Sequence, residues 1–118
     1  MDNATATYLA TKVLLGIATE EERNQLAAYS VEEAKKVAKW CVKNGRLPQV
    51  DVNDVAQDAA IRAINHVWSF RLNPRQYKAS WGTYLNAITR RVVADYGRRA
   101  QREQQTLATL AGELEDED

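Results

Sequence analysis

Apolar positions along the chain recur at helical spacing, and no stretch alternates in the manner of a strand. The clearest run follows Asp51. Val52, Val55, Ala56, Ala59, Ala60, Ala63, Ile64, Val67 and Trp68 form one unbroken stripe, predicting a helix over 52–68. Its alanines make the face shallow, so a neighbouring helix can approach closely. Asp54, Gln57, Asp58, Ile61, Arg62 and Asn65 lie off or at the edge of that stripe, which leaves Ile61 facing outward beside two carboxylates. A second inward face, Trp81, Leu85, Ile88, Val92 and Tyr96, predicts a helix beginning near Ala79 or Ser80, with Tyr84 on its flank. Upstream, a helix over about 5–15 stops at Gly16. Thr19-Glu-Glu-Glu22 is a capping box opening a helix to about Tyr29. Ser30-Val-Glu-Glu33 reads as another, opening a helix to Asn44, with Gly45 as the stop and Pro48 beyond.

The predicted fold is therefore all-α, a compact bundle of about four to five helices. Gly and Pro together number only seven in 118 residues, which fits long helices and short connections. The apolar share, 45%, is enough for a modest core, and no apolar run approaches the roughly 18 residues that span a bilayer. A cytoplasmic chain with no membrane partner is the expectation. One cysteine, Cys41, excludes an internal disulfide and a cysteine-cluster metal site, and one histidine, His66, argues against zinc chemistry. No Gly-rich phosphate loop is present and no His accompanies the Cys, so neither a cofactor nor an enzymatic reaction is expected.

Net charge is zero, with 16 basic and 16 acidic side chains, but the two signs are segregated. Residues 61–103 carry nine basic groups against two acidic ones, and the last 15 residues carry five acids and no base. A basic segment with an acidic end is a pattern that suits an anionic partner such as nucleic acid. Arg91, Arg98 and Arg102 share one face of the last helix, with Asn86 and Arg90 to one side and Arg99 extending the charge. The acidic end either stays solvated or folds back over these arginines as a phosphate mimic.

Residues 51–103 resemble region 2 of bacterial RNA polymerase sigma factors. Asp51-Val-Asn-Asp54-Val-Ala-Gln57-Asp58, with the amphipathic run to Trp68-Ser-Phe70, is similar to region 2.2. Trp81-Gly-Thr-Tyr84-Leu-Asn, continuing through Arg90-Arg91 to Asp95-Tyr96-Gly-Arg98-Arg99, is similar to regions 2.3 and 2.4 of the extracytoplasmic-function type. The helix over about 31–44 takes the place of region 2.1. The resemblance implies a domain over 31–103, preceded by an N-terminal helical extension (1–30) and followed by an acidic tail (104–118).

It also implies partners: the clamp coiled coil of the largest subunit of core RNA polymerase, and the −10 element of promoter DNA. Asp54, Gln57, Asp58, Ile61, Arg62 and Asn65 become the expected polymerase contacts, with acceptors around an apolar centre. Lys78, Asn86, Arg90, Arg91, Arg98, Arg99 and Arg102 become expected DNA contacts, with Tyr77, Trp81 and Tyr84 offering rings for base stacking. Trp81 lies on the inward stripe, so a core role competes with stacking. No stretch resembles region 4, which leaves room for a separate region 4-like partner. Gly97 stands where the family keeps a larger residue. At about 1 kcal/mol for glycine within a helix, a bend or an end is expected there. Two other readings stay open: a stand-alone module that occupies the polymerase clamp, and a polymerase-independent DNA-binding bundle.

Overall fold

The computed structural model describes residues 1–72 and 80–116. Within them lie five helices and no strand: α1 (Asn3–Leu14), α2 (Glu20–Gly45), α3 (Val52–Asn65), α4 (Val67–Leu72) and α5 (Trp81–Asp116). The all-α bundle expected from the periodicity is what forms.

Asp2 starts α1 by accepting the Thr5 N–H at 2.8 Å. The helix buries Ala6, Leu9 and Ala10 and ends at Leu14, two residues before Gly16, whose φ of +72° lies where a side chain would strain the backbone. The Thr19 capping box forms as read, Thr19 and Glu22 each accepting the other's N–H. Glu22 also takes Lys12 Nζ at 2.6 Å, which holds its carboxyl below the usual range and clips α1 to α2.

The second capping box does not form. α2 runs through Ser30 without a break as one 26-residue helix. No glycine or proline interrupts it before Gly45, and the Ser30 hydroxyl is turned inward instead of back to its own backbone. There Ser30 Oγ accepts the indole N–H of Trp81 at 2.9 Å. Leu26, Ala34 and Ala38 bury on the same face. The small residues Ala56, Ala59, Ala60 and Ala63 of α3 complete a thin seam beside them.

The expected 52–68 helix breaks at His66, whose backbone leaves the helical region. The break resets the register, so Val67 and Phe70 of α4 turn inward while Trp68 is exposed, contrary to its place on the sequence stripe. Tyr84 secures the break. Its hydroxyl donates to the His66 carbonyl at 2.7 Å, which also accepts the Ser69 N–H at 2.9 Å, and lies 3.3 Å from the Ala63 carbonyl near the end of α3.

Two side chains of α1 close the start of α5. Thr7 Oγ1 accepts the Trp81 N–H at 3.0 Å and Asn3 Oδ1 accepts the Gly82 N–H at 2.8 Å. Asn3 in turn donates to Ser80 Oγ at 2.7 Å. A Cβ on residue 82 would stand 2.8 Å from Asn3 Oδ1, so glycine is what permits this cap. Residues 1–30 supply buried core at Ala6, Leu9, Ala10 and Leu26, the cap on α5 and the N-terminal part of α2. Gly97 does not end α5. It is buried near Leu47, and the helix continues to Asp116. Residues 104–116 are thus helical, which sets Glu113 eleven residues along the same rod from Arg102.

Ser30 and Trp81 give a direct test of this core. Ser30→Ala leaves a buried indole N–H unpaired and is expected to cost about 1–3 kcal/mol in urea unfolding. Trp81→Phe removes the donor, so adding Ser30→Ala to it should cost markedly less than Ser30→Ala alone. Strict additivity would mean the hydrogen bond contributes nothing.

Candidate functional site

The expected polymerase-facing residues separate into two groups. Asp54, Gln57, Ile61 and Asn65 share the outer face of α3 and are exposed, Ile61 at 59%. Beside Ile61 lies a groove of about 160 Å³ between α2 and α3, floored by Ala27, Val31, Ala60 and Ile64 and flanked by Gln57. Asp51 fixes the orientation of this helix by accepting the Asn53 and Asp54 N–H groups at 2.8 and 3.1 Å. The outcome is an apolar centre with a polar, partly acidic rim.

Asp58 and Arg62 turn the other way, toward α5. Arg62 grips Asp58 through Nε at 2.9 Å and Nη2 at 3.2 Å, and reaches Asp95 with Nη1 at 3.6 Å. Asp95 also pairs with Arg98, and the Tyr96 hydroxyl donates to Asp58 at 3.3 Å. Burial, with the Asp58 carboxylate beside it, pushes the Tyr96 hydroxyl above its ordinary range and keeps it a donor. These five side chains fasten α3 to α5. Sequence reasoning had not placed Asp95 and Tyr96 in this network, although each is one helical turn from an arginine.

The arginines divide by the 100° step of the helix. Arg91, Arg98 and Arg102 flank the α3 side, while Arg90 and Asn86 flank the α2 side. Arg90 Nε donates to Asn86 Oδ1 at 2.7 Å, and its guanidinium stacks on Trp40, 5.1 Å from the ring centre. Trp40 is half-exposed, with Lys36 and Lys43 one turn away on the same helix. Arg90 and Trp40 are fifty positions apart, so no local pattern in the sequence pairs them. Arg99 lies over Tyr96, 5.5 Å from its centre. Among the described residues Arg91 and Arg102 are exposed and in no ion pair.

Two expected stacking rings are not on the surface. Trp81 is fully enclosed, edge-on to Phe70 and 5.2 Å from Tyr84 between ring centres, and Tyr84 is 1% exposed. Both are core residues here, because α5 needs large apolar groups opposite the alanine seam. Tyr77 and Lys78 lie outside the described residues. Among those described, no cluster of His, Cys, Asp and Glu could hold a metal ion, and no helix is long and apolar enough to cross a membrane.

No protein-family model, curated protein or solved structure matches this chain.

The charge arrangement predicts a graded salt dependence for DNA binding. Removing Arg91 or Arg102 should lower the slope of log affinity against log salt by about one unit each. Arg98→Ala should lower it less, since its guanidinium is already neutralised by Asp95. Equal effects at all three positions in a filter-binding or anisotropy titration would contradict this division.

Proposed function

We propose that this chain is a cytoplasmic, sigma region 2-like transcription initiation protein. It docks on core RNA polymerase through α3 and holds promoter DNA by phosphate contacts along α5. The observation that carries the reading is Ile61, exposed at the centre of a face rimmed by Asp54, Gln57 and Asn65. A folded chain of this size leaves large apolar side chains in water singly as a matter of course. An isoleucine ringed by acceptors and beside a shallow apolar groove is instead the layout of a small binding centre. Its complement is an apolar ridge carrying basic side chains, such as one helix of the clamp coiled coil.

Docking needs no cofactor and no covalent step. Asp54 sits in the first turn of α3, where the helix dipole favours its negative charge, and it faces solvent ready for a cation. The Asp58–Arg62–Asp95 bridge keeps α3 and α5 in fixed relation, so a polymerase bound on one helix presents DNA to the other. Arg91 and Arg102 then neutralise phosphates, which gives affinity without sequence information. Base reading falls to the segment that precedes α5, whose sequence holds Tyr77 and Lys78.

One observation favours a second reading. With Trp81 and Tyr84 enclosed, two rings expected to stack on unpaired bases are occupied in the core. A protein that binds the clamp without opening DNA would block initiation instead of directing it.

Retention of core polymerase by the tagged chain tests the docking face. Ile61→Glu and Asp54→Lys should each reduce retention at least tenfold, with helicity by circular dichroism unchanged because both side chains are exposed. Undiminished retention by both variants would remove α3 as the docking element. Transcription from a pre-opened bubble template separates the two readings: stimulation supports initiation, inhibition supports blocking.

A further inference from the structure

The second half of α2 carries a concentration of positive charge apart from the arginines that flank α3. From Ala34 to Val50 the chain holds Lys35, Lys36, Lys39, Lys43 and Arg46 and no acid. Lys35 and Lys36 pair back to Glu32 and Glu33, at 3.3 and 2.9 Å. Lys39, Lys43 and Arg46 are exposed and, among the described residues, in no ion pair. The end of a helix favours cations, which accounts for Lys43 and Arg46. It does not account for Trp40, which stands among them 56% exposed.

The indole has cations on both sides. On the helical wheel Ser30, which meets Trp81 of α5, falls about 80° to one side of Trp40, and Lys36 and Lys43 fall about 40–60° to the other. Lysines therefore border the ring on its outer side and Arg90 of α5 on its inner side, the guanidinium 5.1 Å from the ring centre. Asn86 steadies Arg90 through Nε, and among the described residues Arg90 is in no ion pair. From Arg90 an open groove of about 480 Å³ runs back toward the start of α5, lined by Asn3, Thr83 and Asn86.

We infer that this face takes an unpaired DNA strand: a base stacks on Trp40, and Arg90, Lys39 and Lys43 hold the phosphates around it. Two features choose the occupant. The cations call for a polyanion, and no carboxylate between Ala34 and Val50 or between Trp81 and Ala94 offsets them. The exposed ring calls for a flat apolar partner, which a duplex keeps inside its stack and an acidic peptide lacks. The groove beside Arg90 lies within the size range of small-ligand sites, and its amides and hydroxyl suit the edge of the next base. None of the α2 residues belongs to the DNA contacts expected from the sequence, and they lie on the other flank of α5 from Arg91 and Arg102. The choice of DNA over RNA rests on the function proposed above; the stacking face does not.

Anisotropy of a fluorescein-labelled oligothymidylate with the full chain, without polymerase, tests this. Trp40→Ala should weaken binding of the single strand at least fivefold and binding of a duplex of the same length less than twofold. Trp40→Phe should keep most of the affinity, and Trp68→Ala, which removes an exposed indole elsewhere, should leave it unchanged. Lys39→Ala with Lys43→Ala should lower the single-strand salt slope by about 1.4 units, two phosphates' worth. The site is also readable unaltered: with Trp68→Phe the indoles left are Trp40 and the enclosed Trp81, and the oligonucleotide should quench the fluorescence of the first. A single-strand affinity unmoved by Trp40→Ala, or an equal loss on duplex, overturns the site. So does a polyglutamate peptide bound as tightly as the oligonucleotide and equally weakened by Trp40→Ala. An oligouridylate bound more tightly than the oligothymidylate overturns DNA as the occupant. Sensitivity to Trp40→Ala with none to Arg91→Ala and Arg102→Ala would fault the α5 contacts proposed above and uphold this site; the reverse would fault this site alone.

Discussion

Everything in the bundle is arranged around one fully enclosed tryptophan. Trp81 opens α5, and its backbone N–H is capped by Thr7 of α1 while its indole N–H is taken by Ser30 of α2. Its ring meets Phe70 of α4 edge-on, and through Tyr84 it is tied to the carbonyls that end α3. Four helices therefore converge on the first turn of α5, at Trp81 and Tyr84. Burying so large a ring is favourable, and each aromatic contact adds about 0.5–1.5 kcal/mol beyond the area term. Yet the ring can be enclosed only because its single polar group has a partner, since a buried unpaired N–H costs about 1–3 kcal/mol.

This constraint explains what is available for function. The large rings of α5 are spent on the core because α3 offers it mostly alanine, and alanines leave volume that only aromatics can fill. With Trp81 and Tyr84 inward, the outer face of α5 is left to arginines and the outer face of α3 to Asp54, Gln57, Ile61 and Asn65. The Asp58–Arg62–Asp95–Arg98 chain then locks the two faces together. The Ile61 face of α3 and the arginine face of α5 are thus joined by side-chain bridges, which is what the proposed coupling of a protein partner to a nucleic acid requires.

The fold was largely legible because helix spacing is local. The α3 stripe, the outward Ile61, the Thr19 capping box and the Gly16 stop all follow from residues within one or two turns of one another. The misreadings share a different cause. Ser30 carries the same motif as Thr19, but a hydrogen bond from a residue 51 positions away decided its role, and no local pattern encodes that. Trp68 was read inward because a stripe continues by arithmetic, while the chain breaks at His66 and Tyr84 closes the gap. Tyr84 was read as a flanking ring, and only the packing of α3 against α5 turns it into core. Asp58 and Arg62 were legible as surface charges but not as each other's clasp with Asp95.

Site-specific photocrosslinking tests the central claim, that the α3 face meets polymerase, most directly. A benzoylphenylalanine at position 61 should crosslink to the clamp coiled coil of the largest subunit when the full chain is mixed with core polymerase. The same probe at Tyr8, equally exposed but on α1, should not. Crosslinking from Tyr8 alone, or from neither position under conditions where the chain co-sediments with polymerase, would contradict the account.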